Sequence, residues 1–330
     1  MRVGVIGAGR IAAIHVANLV DHPAVGDVLV TDVVAEAADD LAGRHPTVSS
    51  VPGYRDLGGC DAVVVCSPAH THVPMIEWGV EHGIPILTEK PLAMTLAEAD
   101  RAVEVVGPGT IPVQVGFNRR FDPGYRRAHD MVAAGDVGTV TMVVGQHHDF
   151  ELSSREYLAS SGGEFKDQLI HDFDILRFVT GQDVERVHAA GTATGFEWVA
   201  ELGDYAHTAV TLWLSGGALA VLCGSRRDPV GYDVRMEVFG TADSIAVGLD
   251  DRTPLRSVEP GVGPPEDPYR AWVPRFGHTY RAELDAFLAL IAGDGRNECT
   301  VHDGRAALVI AEACMLSVRE GRIVDLKEVA

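Results

Sequence analysis

Three short segments bring together side chains that can move a proton or stabilise a charge. They are Glu89-Lys90-Pro91, Gly116-Phe117-Asn118-Arg119-Arg120-Phe121-Asp122 and Asp167-Gln168-Leu169-Ile170-His171. Lys90 follows a predicted strand, and open α/β sheets bind ligands at the carboxyl ends of their strands. Asp167 and His171 are four residues apart, so they would share one face of a helix. An amine, a carboxylate and an imidazole suit acid–base chemistry, although a solvated lysine or a structural histidine stays open for either residue alone.

A glycine-rich turn follows the first predicted strand. The segment Gly7-Ala8-Gly9-Arg10-Ile11-Ala12 has the G-x-G-x-x-A pattern of dinucleotide sites, in which glycines allow a tight turn and a close approach of the pyrophosphate. Asp32 ends the second predicted strand, where a carboxylate can accept hydrogen bonds from ribose hydroxyls and repel a 2′-phosphate. We expect NAD rather than NADP, bound by Gly7, Ala8, Gly9, Arg10, Ile11 and Asp32. The alternatives are a plain strand–helix turn and, for Asp32, a helix cap.

The first part of the chain alternates short apolar runs with helical patterns. The runs predict buried strands at Val3–Ile6, Val28–Thr31, Ala62–Val65, Ile84–Thr88 and Pro112–Gly116. The helical patterns cover Ile11–Val20, Ala35–Arg44, Val73–His82 and Leu96–Val106, with Pro74 in a first turn and Thr95 and Glu98 forming a capping box. Residues 1–120 are therefore predicted to form an α/β Rossmann domain with a doubly wound parallel sheet.

Residues 121–330 follow a different pattern, in which strands succeed one another. Strands are predicted at Val137–Gln146, Val184–Thr194, His207–Leu214, Ala218–Gly224, Val234–Phe239 and Ser244–Val247. One helix begins at Gly162-Gly163 and runs to about Val179, a proline-rich loop covers 253–268, and two helices follow near Tyr280–Ala292 and Asp303–Glu320. The pattern indicates an α+β substrate-binding domain with a large, mostly antiparallel open sheet. Its C-terminal helices are free to pack back on the first domain.

Composition limits the classes of partner. The 330 residues suit two domains, and 46% apolar with 22% charged residues is ordinary for a globular protein. A formal net charge of −20 argues against nucleic-acid or anionic-membrane partners, which select basic surfaces. The chain runs from Met1 straight into a strand and has no membrane-length apolar stretch, so we expect neither a signal peptide nor a membrane span. The five scattered cysteines predict free thiols in a reducing cytoplasm.

The glycine-rich turn and the three segments together resemble the Gfo/Idh/MocA family of oxidoreductases over nearly the whole chain. Within the family the chain looks most like the inositol dehydrogenase branch, on the strength of Gly116–Pro123 and the Asp167/His171 pair. Asn118, where methionine is expected in that branch, and Glu164 before Phe165 depart from its pattern, which leaves the polyol open. The resemblance implies NAD-dependent oxidation of one secondary hydroxyl of a cyclic polyol or sugar.

The resemblance also implies a role for each candidate residue. His171 would act as general base, Lys90 would stabilise the developing alkoxide, and Asp167 would hold the substrate or support the other two. Glu89 would fix Lys90 or line the nicotinamide pocket. Further cofactor contacts are expected from Ser67, His70, His72, Glu89, Lys90 and Arg119, and further substrate contacts from Asn118 and Tyr280. A structural ion pair stays open for the arginines, and a buried helix position stays open for Tyr280.

Several alternatives accompany this reading. His70-x-His72 and His147-His148-Asp149 have metal-like spacing without a completing set, so no metal is expected. The same scaffold also serves a biosynthetic sugar oxidoreductase or ketoreductase, an NAD-dependent glycoside hydrolase, or a dinucleotide-binding regulator that does no chemistry. Because an open sheet face often forms an interface in this family, we expect a homodimer or homotetramer.

Overall fold

The structure is a computed structural model that describes residues 1–108 and 111–330. It divides into two compact units. Unit 1 contains Met1–Phe121 and His278–Ala306, and unit 2 contains Asp122–Gly277 and Ala307–Ala330. The sequence-based division placed residues 121–330 in the second domain and left its C-terminal helices free to pack back on the first. The structure groups His278–Ala306 with the unit that carries the glycine-rich turn.

Unit 1 is built on a six-stranded parallel sheet in the order β3-β2-β1-β4-β5-β6. The strands β4, β5 and β6 are buried along their whole length, as expected for a parallel sheet covered on both faces. The five predicted strands are confirmed, and the sixth was missed because it is three residues long with two exposed serines. The strands are β1 (Arg2–Ile6), β2 (Asp27–Thr31), β3 (Val48–Ser50), β4 (Ala62–Val65), β5 (Ile86–Glu89) and β6 (Val113–Gly116).

The helices between these strands agree with the predicted ones to within a few residues. They are α1 (Arg10–Val20), α2 (Ala35–Ala42), α3 (His72–His82) and α4 (Leu96–Val105). The capping box of α4 is confirmed, because Thr95 Oγ1 accepts from the Glu98 N–H at 3.3 Å and Glu98 Oε2 accepts from the Thr95 N–H at 3.0 Å. Pro74 lies in the first turn of α3, where its missing N–H has no helical partner to lose.

Unit 2 is built on a seven-stranded sheet in the order β12-β11-β7-β10-β9-β8-β13. The pair β7 and β10 is parallel, and all other neighbours within this sheet are antiparallel, which confirms the mostly antiparallel open sheet. The last strand is two residues long and was not predicted. The strands are β7 (Val140–His148), β8 (Val184–Thr192), β9 (His207–Leu214), β10 (Leu219–Ser225), β11 (Asp233–Gly240), β12 (Ser244–Val247) and β13 (Val324–Asp325).

The helices of unit 2 are α5 (Pro123–Ala134), α6 (Arg155–Ser160), α7 (Glu164–Asp167), α8 (Ile170–Thr180) and α9 (Glu197–Ala200). The sequence analysis missed α5, α6 and α9. Helix α5, which packs against α8, begins where Asp122 accepts from the N–H groups of Gly124 and Tyr125 at 2.9 and 3.2 Å. An aspartate cap followed by proline at the first position is a helix-start signal that the sequence contained.

Two long helices close the chain, α10 (Trp272–Ala292) and α11 (Val301–Glu320). Leu284, Phe287 and Leu288 of α10 belong to the same buried core as Val3 and Val5, so the C-terminal part of α10 completes unit 1. The proline-rich segment 253–268 forms neither helix nor strand, as predicted. None of the helices in the described residues combines the length and the apolar character needed to cross a bilayer.

Candidate active site

The glycine-rich turn of unit 1 leaves space where a dinucleotide phosphate would need it. Gly7 has φ +101°, and a Cβ there would lie 2.8 Å from the backbone carbon of Cys66, so the position requires glycine. A Cβ at Gly9 would meet no described atom within 4 Å, which leaves the approach to the backbone open. Helix α1 starts at Arg10 with no side-chain cap among the described residues, so its first N–H groups stay available to an anion.

Asp32 lies beside this turn at the end of β2. Its carboxylate accepts from the Ala8 N–H at 2.7 Å and from the Val34 N–H at 2.9 Å. The N-cap of α2 is Val34, so the alternative reading of Asp32 as a helix cap is wrong. Val33 and Val34 are exposed and carry no cation for a 2′-phosphate. Phosphate-side N–H groups and a ribose-side carboxylate are thus adjacent, and this donor set fits NAD.

The three residues predicted after β4 fall into different environments. Ser67 Oγ lies 2.6 Å from Thr71 Oγ1, and His70 is exposed. His72 is buried, with Nδ1 2.7 Å from the Pro91 carbonyl oxygen and Nε2 2.9 Å from the Ser67 carbonyl oxygen. Burial lowers the pKa of His72. Its ring therefore ties the loop after β4 to the loop after β5 rather than standing free for a metal.

Glu89 and Lys90 occupy the carboxyl end of β5, as the sequence predicted. Glu89 is the last residue of the strand and is buried, while Lys90 is partly exposed. Glu89 Oε1 lies 2.7 Å from Nε2 of the buried His15 on α1. The pairing Glu89–Gly116 across β5 and β6 leaves room for the carboxylate, since a Cβ at Gly116 would be 3.1 Å from Glu89 Oε2. The sequence offered no signal for His15 beyond its place on the buried side of α1.

The predicted contacts around Asn118 are also in unit 1. The Asn118 amide donates to Thr279 Oγ1 at 2.7 Å. Arg120 donates to the Glu298 carbonyl at 2.8 Å and pairs with Asp303 at 3.0 Å, so it acts as the structural ion-pair partner that the sequence left open. Arg119 is 2% exposed, and Tyr280 packs its ring edge against His15 at 5.8 Å. Tyr280 is buried in α10, and its proposed contact with the substrate stays a prediction.

Asp167 and His171 do not share a helix, which corrects the prediction of one continuous helix to Val179. Asp167 ends α7, and His171 lies in the first turn of α8. The break falls at Gln168, whose buried side chain donates to the carbonyl oxygens of His147 and Ser225 at 3.3 and 3.0 Å. Those bonds link the break to the ends of the parallel strands β7 and β10.

Polar side chains that the sequence analysis missed surround Asp167. Tyr157 Oη donates to Asp167 Oδ1 at 2.7 Å, and Arg226 Nη1 lies 3.4 Å from Asp167 Oδ2. Arg226 is 2% exposed and also pairs with Asp204 at 2.9 Å. The phenol and the guanidinium together hold the Asp167 carboxylate in one orientation. Arg226 comes from a distant segment and Tyr157 from the preceding helix α6, and no local motif marked either residue.

Other titratable groups lie near His171 in unit 2. The His147 ring is 6.3 Å from the His171 ring, and His147 Nδ1 is 2.8 Å from Asp172 Oδ2. Glu164, one of the departures from the branch pattern, is fully buried, and its N–H donates to Asp204 Oδ1 at 2.9 Å. Burial raises the pKa of Glu164 to about 8, against the opposing charge of Arg226. Of the three residues predicted to be catalytic, Lys90 belongs to unit 1, and Asp167 and His171 belong to unit 2.

Family models match both parts of the chain. Residues 1–117 match the oxidoreductase family with an NAD-binding Rossmann fold, and residues 125–246 match the Gfo/Idh/MocA C-terminal domain. The chain belongs to the Gfo/Idh/MocA family, which confirms the resemblance drawn from its motifs. It is an NAD-dependent oxidoreductase.

Relatives with a stated activity align along the whole chain. The inositol 2-dehydrogenase of Rhizobium meliloti (strain 1021) is 32% identical over 335 residues, which cover 99% of each chain. The scyllo-inositol 2-dehydrogenase (NAD(+)) of Bacillus subtilis (strain 168) is 32% identical over 330 residues, covering 99% of this chain and 96% of that protein. The crystal structure of scyllo-inositol dehydrogenase from Lactobacillus casei with bound NAD(H) and scyllo-inositol superposes with a TM-score of 0.90 at 25% identity, over 99% of each chain.

Proposed function

We propose that this chain oxidises one secondary hydroxyl of a cyclic polyol of the inositol type to the ketone, with NAD as the acceptor. The observation that carries the proposal is the full-length similarity to inositol dehydrogenases, in both sequence and fold. NAD, when bound, would accept the hydride that leaves the carbon. A sugar hydroxyl of similar geometry belongs to the same substrate class.

The proposal assigns three residues to the reacting hydroxyl. His171 accepts the hydroxyl proton as general base, since an imidazole titrates near neutral pH. Lys90 donates to the same oxygen and stabilises the alkoxide charge as it develops. Asp167 binds a neighbouring hydroxyl or supports the two cations. The contacts of Asp167 with Tyr157 and Arg226 support this assignment, because they hold the carboxylate in one orientation.

The geometry of unit 1 supports a set of proposed cofactor residues. Gly7, Gly9 and the start of α1 would bind the pyrophosphate, and Asp32 would bind the adenosine ribose. Ser67, His70 and Arg119 stay proposed cofactor contacts, and His72 would position the loop that carries Ser67. Asn118 and Tyr280 stay proposed substrate contacts.

The test compares active-site variants with matched controls. Lys90→Ala and His171→Ala should each lower kcat by roughly 10² or more while NAD affinity changes little, because each group acts on the reacting oxygen. The measurements are NADH formation with a panel of inositols and aldoses, and NAD binding by calorimetry. Lys327→Ala and His188→Ala, which change an exposed lysine and an exposed histidine, should leave kcat unchanged.

Three outcomes would contradict the proposal. Wild-type protein that binds NAD but oxidises no cyclic polyol or sugar would point to a regulator without chemistry. Release of an aglycone without net NADH would point to the glycoside hydrolase alternative. Loss of NAD affinity with unchanged kcat in the Lys90 and His171 variants would remove those residues from the reacting hydroxyl.

The proposal also covers assembly and location. We infer a homodimer or homotetramer, which is supported by the half-exposed apolar residues Met142 and Leu219 on neighbouring strands of the unit 2 sheet. A cytoplasmic location is supported by the five cysteines, all of which are free thiols.

A further inference from the structure

Three side chains meet inside unit 1 behind the Glu89-Lys90 turn. His15 comes from α1, Glu89 from the end of β5 and Glu283 from α10, and one ligand atom from each lies within 4.8 Å of the others. His15 and Glu283 are fully buried, and Glu89 is 8% exposed. Helix α10 is held here by Gln114, which donates to the Glu283 carbonyl oxygen at 3.2 Å. The cluster therefore joins three elements that are distant in sequence.

Glu283 is the member of this cluster whose hydrogen bonding is incomplete. Neither of its carboxylate oxygens has a hydrogen-bond partner among the described residues, although both are buried. A buried carboxylate without a donor is costly, whereas a buried carboxylic acid can itself donate. Burial, and then the charge of Glu89, raises the pKa of Glu283 well above its usual value. Both considerations favour the neutral acid.

The geometry favours a proton over a metal ion in this cluster. His15 Nε2 and Glu89 Oε1 are 2.7 Å apart, which is a hydrogen-bond distance. Two ligands of one tetrahedral zinc ion, each about 2.0–2.2 Å from the metal, would be about 3.3 Å apart. The Cys66 thiol lies near both acids, and the Tyr280 ring packs edge-on against His15 at 5.8 Å. Burial and the two acids raise the pKa of Cys66 well above its usual value.

We propose that Glu283 is a neutral carboxylic acid that donates to Glu89, directly or through one water, and that Glu283 and His15 together position the Glu89-Lys90 turn. The Glu89 carboxylate then accepts one bond from an imidazole and one from a carboxyl O–H. Because Glu89 directly precedes Lys90, the two bonds fix the backbone from which the Lys90 amine reaches the substrate oxygen. Glu283 is thus a positioning residue, and this role rests on the proposed function of Lys90.

The first test uses the different roles proposed for the two glutamates, with Glu283 as a neutral donor and Glu89 as a charged acceptor. Glu283→Gln keeps a neutral side chain with a donor, so kcat should stay within about twofold of wild type. Glu283→Met has similar length but no donor, and kcat should fall about tenfold with KM for NAD little changed, as for loss of one bond to a charged group. Glu89→Gln replaces the charged acceptor and should be at least as damaging as Glu283→Met. Equal losses in Glu283→Gln and Glu283→Met would overturn the proposal.

The second test does not depend on activity. The infrared spectrum of the wild-type protein at neutral pH should contain a protonated carboxyl C=O band that is missing from Glu283→Gln. Absence of that difference band would overturn the neutral acid even if Glu283→Met folds poorly. Stoichiometric metal in purified wild-type protein, lost in Glu283→Gln, would also overturn it. If Lys90→Ala leaves kcat unchanged while the band is present, the proposed role of Lys90 fails and the neutral acid stands.

Discussion

In unit 1 the buried carboxyl groups of Glu89 and Glu283 face the imidazole of His15, whereas in unit 2 Asp167 and Asp204 face the guanidinium of Arg226. An imidazole can gain or lose a proton near neutral pH, but a guanidinium stays charged at every pH that a protein tolerates. The cluster of unit 2 is therefore built around a permanent cation that pairs with both aspartates. The cluster of unit 1 is built on an imidazole, which is not a permanent cation.

The difference matters because each cluster adjoins a proposed catalytic residue. The fixed cation of unit 2 orients Asp167, which has to remain a carboxylate to bind a hydroxyl or support a cation. The acids of unit 1 lie behind Lys90, where a second negative charge would be buried without a donor. A carboxyl group that keeps its proton avoids that cost and still supplies a hydrogen bond.

The largest effect is expected from Arg226→Leu. The substitution leaves Asp204 and Asp167 without their shared cation, and removal of one partner of a buried ion pair costs about 3–5 kcal/mol. We expect a matching loss in the free energy of unfolding, measured by urea denaturation. The control is Arg155→Leu, because the Arg155–Glu201 pair is exposed and should contribute less than about 1 kcal/mol. Equal losses in the two variants would show that Arg226 is not the centre of a buried cluster.

Arg226 also shows which part of the site the sequence could predict. The glycine-rich turn, Asp32 and the Glu89-Lys90 turn follow short buried strands, and hydrophobic pattern locates the ends of such strands. Contacts such as those of Arg226 with Asp167 and Asp204 depend on how the strands of unit 2 pair. Strand register is not encoded in local spacing, so these contacts could not be predicted.

The Asp167–His171 spacing shows a different kind of failure. Separation by four residues predicts a shared face only if the helix is continuous. Here the helix breaks at Gln168, whose side chain donates to two strand carbonyls, so the local spacing alone did not decide the geometry. The same applies to Glu283, whose importance depends on α10 completing the core of unit 1. Nothing in the sequence near Glu283 indicated the partners that it would meet.

A smaller, pH-dependent effect on stability is expected from Glu164→Gln. Glu164 lies close to Arg226, but burial raises its pKa as it does that of Glu283 in unit 1. The pKa of Glu164 is raised from 4.5 to about 8 by burial, so the folded state holds a proton that the unfolded state releases. The contribution of Glu164 to stability is therefore fully present below its pKa in the unfolded state, and it is lost as the pH rises toward about 8. Glu164→Gln removes this dependence, and between about pH 5.5 and about pH 8 it should gain about 3 kcal/mol relative to wild type.

Calorimetric melting at several pH values checks this expectation. Glu185→Gln is the control, since Glu185 is exposed on β8 and its variant should follow the wild-type curve. Parallel curves for wild type and Glu164→Gln would mean that Arg226 keeps Glu164 ionised. In that case Asp167, Asp204 and Glu164 would all share the charge of Arg226. The contrast between the two units would then be larger.

The smallest effect is expected from His15→Leu. The variant removes the donor to Glu89, and loss of a hydrogen bond of this kind costs about 1–2 kcal/mol. The loss should be smaller than for Arg226→Leu because Glu89 is 8% exposed and because a neighbouring acid can still supply a proton. His15→Gln retains a donor and should recover part of the loss in urea denaturation. If His15→Leu costs as much as Arg226→Leu, the imidazole acts as a fixed cation, and the two clusters neutralise their acids in the same way.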